Sequence, residues 1–143
     1  MQISFELEGE KQLSRNLRNV SADLGDWTDT FKKVGLQLQT LFSGAVFETE
    51  GREIGEPWVK RKKDYPWPLL QKSGKMRGGF EYEARKDQVK IFNKVPYFVY
   101  HQSNKPRFRL PRRVMMKIDE KRKMDIIHTF NYDMVYKFKK RLA

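Results

Sequence analysis

The sequence predicts an α+β domain in which two N-terminal helices and a C-terminal helix pack on a small, mainly antiparallel sheet, with a long extended arm or loop in between. Three observations predict it. Helical periodicity occupies both ends of the chain, strict alternation marks residues 3–7 and again 80–93, and neither period survives across residues 51–79. At 143 residues, 38% of them hydrophobic, the chain suits one domain (1–143) around one modest core.

Ile3, Phe5 and Leu7 alternate with polar residues, the pattern of a half-buried strand that Gly9 ends. Leu13, Leu17, Val20 and Leu24 then fall on one helical stripe, with Gly25 as its stop. Asp26 is placed to cap a second helix. Its apolar face, Trp27, Phe31, Val34, Leu38, Leu41, Phe42, Ala45 and Val46, predicts the spine of the core.

From 51 to 79 the chain turns to Gly, Pro, Trp and Lys. Pro57, Pro66 and Pro68 each remove a backbone donor and bias the preceding residue toward extended conformations, so neither a continuous helix nor a central strand is expected. Trp58, Tyr65 and Trp67 argue against featureless disorder and predict an extended arm that orders on a partner. Next, Phe80, Tyr82 and Ala84, a turn at Arg85-Lys86-Asp87, and Val89, Ile91 and Asn93 predict a β-hairpin. Residues 97–101 read as a further extended segment, and 108–116 as another strand interrupted by Pro111. Asp119 caps a closing helix whose predicted apolar side is Met124, Ile127, Phe130, Met134, Val135, Phe138 and Leu142.

Composition excludes several chemistries. Cysteine is absent, which removes disulfides, thiolate catalysis and Cys-type zinc sites. His101 and His128 are the only histidines, and no His-x-x-x-His pair, Gly-x-Ser-x-Gly elbow or phosphate-cradling loop occurs. Ser73-Gly74 reads as a turn, and His101, beside Tyr97 and Tyr100, as a hydrogen-bonding residue at a sheet edge. The expectation is therefore no catalytic residue, no metal and no cofactor. A plain Met1-Gln2-Ile3-Ser4 start and the lack of any run of about 18 apolar residues predict neither a secretory leader nor a membrane span.

The net charge of +12 implies a polyanionic partner or acidic protein neighbours. Two densities carry it, Lys60, Arg61, Lys62 and Lys63 in the arm and Lys139, Lys140 and Arg141 at the C-terminus. Each is an ordinary solvated flank or a contact for DNA or an acidic partner; the aromatics around the first group fit phosphate contact with ring stacking. No helix-turn-helix, zinc-finger or RNP signature accompanies them.

Four spaced signals complete the sequence. After Phe47 come Gly55, Pro57 and Trp58; then Leu70, Ser73, Gly74, Met76 and Arg77; then Tyr97, His101 and Gln102; then Leu110, Pro111 and Arg113. In this order they resemble the Mu-like phage virion morphogenesis (tail completion, head-tail joining) family. The chain departs from that pattern at Phe98, at Ser103-Asn104 and at Val114-Met115. The resemblance implies a structural virion protein of a tailed bacteriophage and not an enzyme, assembled in the host cytoplasm and located at the neck or top of the tail. It implies a homo-oligomeric ring, a hexamer, that meets a head-side adaptor or stopper and the tail terminator or tube. A ring subunit needs two different complementary patches. The arm is the candidate for one, with Pro57, Trp58, Tyr65 and Trp67 as subunit or partner anchors, so that Trp58→Ala or Trp67→Ala is expected to leave the isolated domain folded. Genomic DNA in the lumen is a further expected contact, and a small basic DNA-binding protein without catalytic activity is the alternative.

Overall fold

A computed structural model of the chain describes residues 25–103 and 110–142, with side chains through residue 139. The expected strand at 3–7 and the stripe of Leu13, Leu17, Val20 and Leu24 lie outside the described residues.

Helix α1 (Thr28–Ser43) is the spine, as its periodicity predicts; Phe31, Val34, Leu38 and Phe42 are buried along it. Asp26 accepts from the Thr28 hydroxyl at 2.6 Å and the Thr28 N–H at 3.0 Å, and these two bonds hold its carboxyl below the usual aspartate range. The backbone leaves helical geometry at Gly44 (φ −111°, ψ −93°), so the predicted continuous helix is split, and α2 (Ala45–Glu48) carries Val46 and Phe47 into the core.

The hairpin is present as expected. Strands β1 (Phe80–Ala84) and β2 (Val89–Asn93) pair antiparallel from Phe80↔Asn93 to Ala84↔Val89. Among the described residues the sheet has these two strands only, and α1 packs on it. The approach is close: a Cβ on Gly35 would sit 2.5 Å from the Tyr82 ring, so glycine is what lets β1 lie against α1. Phe80 gathers Phe42, Phe47 and Phe98 around it, with centroids 5.6–6.3 Å away.

Two expectations of strand are corrected. Residues 97–101 enter a short helix, α3 (Phe98–Gln102), whose buried residues Phe98 and Gln102 stand four apart, the helical spacing. A short apolar run does not by itself separate strand from helix. Residues 110–119 carry no regular secondary structure although Val114, Met115 and Met116 are buried. Their backbone is satisfied by side chains instead of a neighbouring strand. Gln102 Oε1 accepts from the N–H groups of Met115 (2.9 Å) and Met116 (3.1 Å), its Nε2 donates to the Met116 carbonyl (2.7 Å), and Trp58 Nε1 donates to the Val114 carbonyl (2.7 Å).

Helix α4 (Glu120–Leu142) begins where Asp119 Oδ1 accepts from the Arg122 N–H at 3.2 Å, the predicted cap. Its buried face is turned away from the predicted one. Arg122, Ile126, Phe130 and Asp133 are buried, while Met124, Ile127 and Val135 are 49%, 41% and 47% exposed. The two buried polar residues hid this face from a hydrophobic count, and both are paired. Asp133 accepts from the Thr30 hydroxyl at 2.7 Å and from Lys33 at 2.8 Å, and Arg122 bonds Asp119 and Glu53. Phe130 closes the α1–α4 contact, edge-on to Phe31 at 5.0 Å.

Candidate functional site: the arm and the outer face of the last helix

The arm, residues 51–79, divides into a root that belongs to the core and a tip that does not. At the root Gly51 adopts φ +83°, and a Cβ there would lie 2.1 Å from the Glu56 carbonyl oxygen and 2.6 Å from the Trp58 ring. The loop closes through Glu56 N–H to Gly51 O (2.9 Å) and Trp58 N–H to Glu50 O (2.8 Å), around a 3-10 turn, Arg52–Ile54, whose Ile54 is fully buried.

Trp58 is 6% exposed, edge-on to Phe47 at 5.2 Å, with its indole N–H satisfied by Val114. This corrects its expected role as an anchor for a neighbour: the ring fills the chain's own core and has no face to offer. Pro57 beside it is exposed. Arg113, 6% exposed, donates from Nε and Nη2 to the Val59 carbonyl at 2.9 and 2.8 Å. Burial, helped by nearby Arg61, pulls its guanidinium below the usual arginine range.

The other motif residues join the same scaffold. Arg77 donates to Ser43 O (2.6 Å), Gln71 Oε1 (2.9 Å) and Glu48 (3.3 Å), and its guanidinium stands 5.8 Å over the Phe47 ring. Asn93 Nδ2 donates to Met76 O at 2.7 Å. His101 lies in the last turn of α3, and its carbonyl accepts from the Arg113 N–H at 2.9 Å. Ser73 and Gly74 form the turn read from sequence, with Gly74 at φ +72° and its carbonyl accepting from Gly78 N–H at 3.0 Å. The four spaced signals are thus parts of one bonded network that ties the arm's root to α1, α2, α3 and the segment before α4. Arg122 extends it, donating to the Glu53 carbonyl at 3.3 Å and to the Glu53 carboxylate, which is held below its ordinary value of 4.5 chiefly by that bond.

The tip is held differently. Tyr65 and Trp67 stack with centroids 4.8 Å apart and planes 17° from parallel. Arg61 stands 5.5 Å over Tyr65, and Lys72 stands 5.1 Å over Trp67. Arg61 also donates to the carbonyls of Tyr65 (3.1 Å) and Trp67 (2.7 Å), so this predicted contact residue is spent inside the arm. Lys60, Lys62 and Lys63 are exposed, as is Lys75. In α4, Lys139 is exposed, whereas the side chains of Lys140 and Arg141 lie outside those described. Lys137, in the same basic run, is consumed: it donates to Asp26 O at 2.6 Å and caps the Trp27 ring at 4.1 Å.

The second surface was missed. The outer side of α4 exposes Met124, Ile127, Tyr132, Val135 and Tyr136. A sequence signal for it exists: Met124, Ile127 and Val135 belong to the apolar side that the periodicity of this helix predicts. Between α1 and α4 lie two cavities of about 480 and 720 Å³, both lined by Gln37 and His128. Among the described residues no three His, Asp or Glu side chains gather where a metal ion would bind, and no helix is long and apolar enough to cross a membrane. No protein-family model, no curated protein and no solved structure matches this chain.

Proposed function

We propose that the chain is a structural subunit of a tailed-bacteriophage virion, a tail-completion or head-to-tail joining protein that works without catalysis. It forms a ring of identical copies, a hexamer, at the neck, between a head-side adaptor or stopper and the tail terminator or tube, and is assembled in the host cytoplasm. The observation that carries the reading is the set of exposed apolar side chains on the outer side of α4, Met124, Ile127, Tyr132 and Val135, which form the ridge a second copy would meet. A head-to-tail contact between copies joins two different complementary surfaces and closes into a ring when its rotation closes; the outer face of α4 supplies one of them. The ridge is the surface a second copy covers. The motif network supports the reading from another side: the residues that carry the family resemblance hold the arm in place, a structural employment and not a catalytic one.

Electron microscopy of virions tests the location. Density for this chain at the neck is expected; its absence there, with the protein on intracellular DNA instead, overturns the reading and favours the small basic DNA-binding protein that the charge of +12 also fits. Sedimentation of the purified chain tests the ridge. Ile127→Asp with Val135→Asp is expected to convert the oligomer to folded monomers, because a charge in an interface core costs its desolvation. An oligomer that survives both substitutions removes the ridge from the contact.

A further inference from the structure

The arm tip has an unusual charge balance for this molecule. Elsewhere several cations have carboxylate partners: Lys33 with Asp133, Arg77 with Glu48, Lys94 with Glu81, Lys117 with Glu56, Arg122 with Glu53 and Asp119, Lys123 with Glu120. Between residues 60 and 75 stand Lys60, Arg61, Lys62, Lys63, Lys72 and Lys75 against one carboxylate, Asp64. Lys60, Lys62, Lys63 and Lys75 are exposed and have no ion pair or side-chain hydrogen bond among the described residues.

The tip's aromatic rings are engaged within the arm. Each ring of the Tyr65–Trp67 pair has one face against the other, 4.8 Å away, and a cation stands over each ring, Arg61 over Tyr65 at 5.5 Å and Lys72 over Trp67 at 5.1 Å. The rings are thus already engaged with one another and with cations, where stacking on a nucleobase or anchoring in a partner's pocket needs a bare face. The order Arg61, Tyr65, Trp67, Lys72 instead pins the two limbs of the loop together, so the lysines of 60–63 and of 72–75 belong to one compact lobe. What the lobe presents outward is ammonium charge on flexible stems, which suits the dense, regular phosphates of a duplex.

We infer that the arm tip is a phosphate-contacting surface for double-stranded nucleic acid, with Lys60, Lys62, Lys63 and Lys75 as the contacts and Arg61, Tyr65, Trp67 and Lys72 as the positioning stack. It reads no bases. The contact rests on these side chains alone and does not depend on the neck-ring reading.

The full-length chain is titrated against a fluorescein-labelled duplex of about 24 base pairs, by anisotropy, from roughly 50 to 200 mM salt. Four phosphate contacts contribute about −3.6 to the slope of log Kobs against log salt, about a 150-fold loss of affinity over that range. In the quadruple variant Lys60→Gln, Lys62→Gln, Lys63→Gln, Lys75→Gln, checked for fold by circular dichroism, the slope is expected to flatten by that amount. An unchanged slope overturns the proposal. Single-stranded DNA of equal length is expected to bind no tighter than the duplex; tighter binding that Trp67→Ala abolishes would mean the rings open to bases. Poly-glutamate is expected to compete less well than unlabelled duplex at equal charge. Equal competition assigns the surface to an acidic protein partner instead.

Discussion

The core around α1 and the tip of the arm are both built on aromatic rings, and they hold those rings by opposite means. In the core, Phe31, Phe42, Phe47, Phe80, Phe98 and Phe130 are buried, and most of their ring contacts are tilted or edge-on. Their stabilisation is area removed from water, helped by the attraction of a ring edge for a neighbour's face. At the tip Tyr65 stays 46% exposed and Trp67 half-buried, and the pair lies nearly parallel under two cations. There the burial term is small, so cation–π attraction carries more of the geometry. The difference teaches that a proline- and tryptophan-rich segment is not one object: its root is core in all but sequence position, and its tip is surface.

Trp58 lies on the boundary, and Trp58→Ala is the strongest way to break the comparison. It empties a buried site and leaves the Val114 carbonyl without its donor, so a loss of about 3–5 kcal/mol is expected, read as a lower urea midpoint at unchanged slope. A loss below about 1 kcal/mol would return Trp58 to the surface and make the whole arm one partner-facing element.

Gln102→Ala tests whether side chains replace a strand beside residues 114–116. The wild-type amide satisfies two N–H groups and one carbonyl in a buried setting. Its removal leaves them unpaired, and about 2–4 kcal/mol of stability is expected to go, since an orphaned buried polar group costs roughly 1–3 kcal/mol and some regain water. Amide exchange sharpens the result: Met115 and Met116 N–H protection is expected to fall while that of β1 and β2 holds. Equal protection loss everywhere would make the segment part of the sheet's own cooperative unit.

These two sites also mark where sequence stops being informative. Helix α1 and the hairpin were legible because their signals are local: a stripe at three- and four-residue steps, and alternation around a polar turn. The prolines of the arm correctly exclude helix and central strand, but nothing local says that the root folds back. That is decided by Trp58 with Val114 and by Arg113 with Val59, pairs more than fifty residues apart. The rotation of α4 was illegible for another reason. Arg122 and Asp133 look like surface residues by type, and only Glu53, Asp119, Thr30 and Lys33 make their burial affordable. Of the candidate site, the cation cluster at 60–63 could be read directly, whereas the demotion of Arg61 to a structural role and the recruitment of Lys72 needed the stack.

The smallest expected effect separates tip from core most cleanly. Trp67→Ala removes the Tyr65 stack and the ring beneath Lys72, interactions worth about 0.5–1.5 kcal/mol together in a half-exposed setting. Because the tip is joined to the rest through Leu69 and Met76, which stay buried, global unfolding is expected to shift by no more than that. Local order should suffer more. Limited proteolysis is expected to cut first at the exposed lysines, Lys60, Lys62 and Lys63, several-fold faster than in the wild type, while the remainder of the chain stays folded after the cut. If Trp67→Ala instead lowers stability as far as Trp58→Ala does, the two tryptophans share one cooperative unit. The tip would then be core with an exposed edge, and its lysines would be held by the fold at large and not by four stacked side chains.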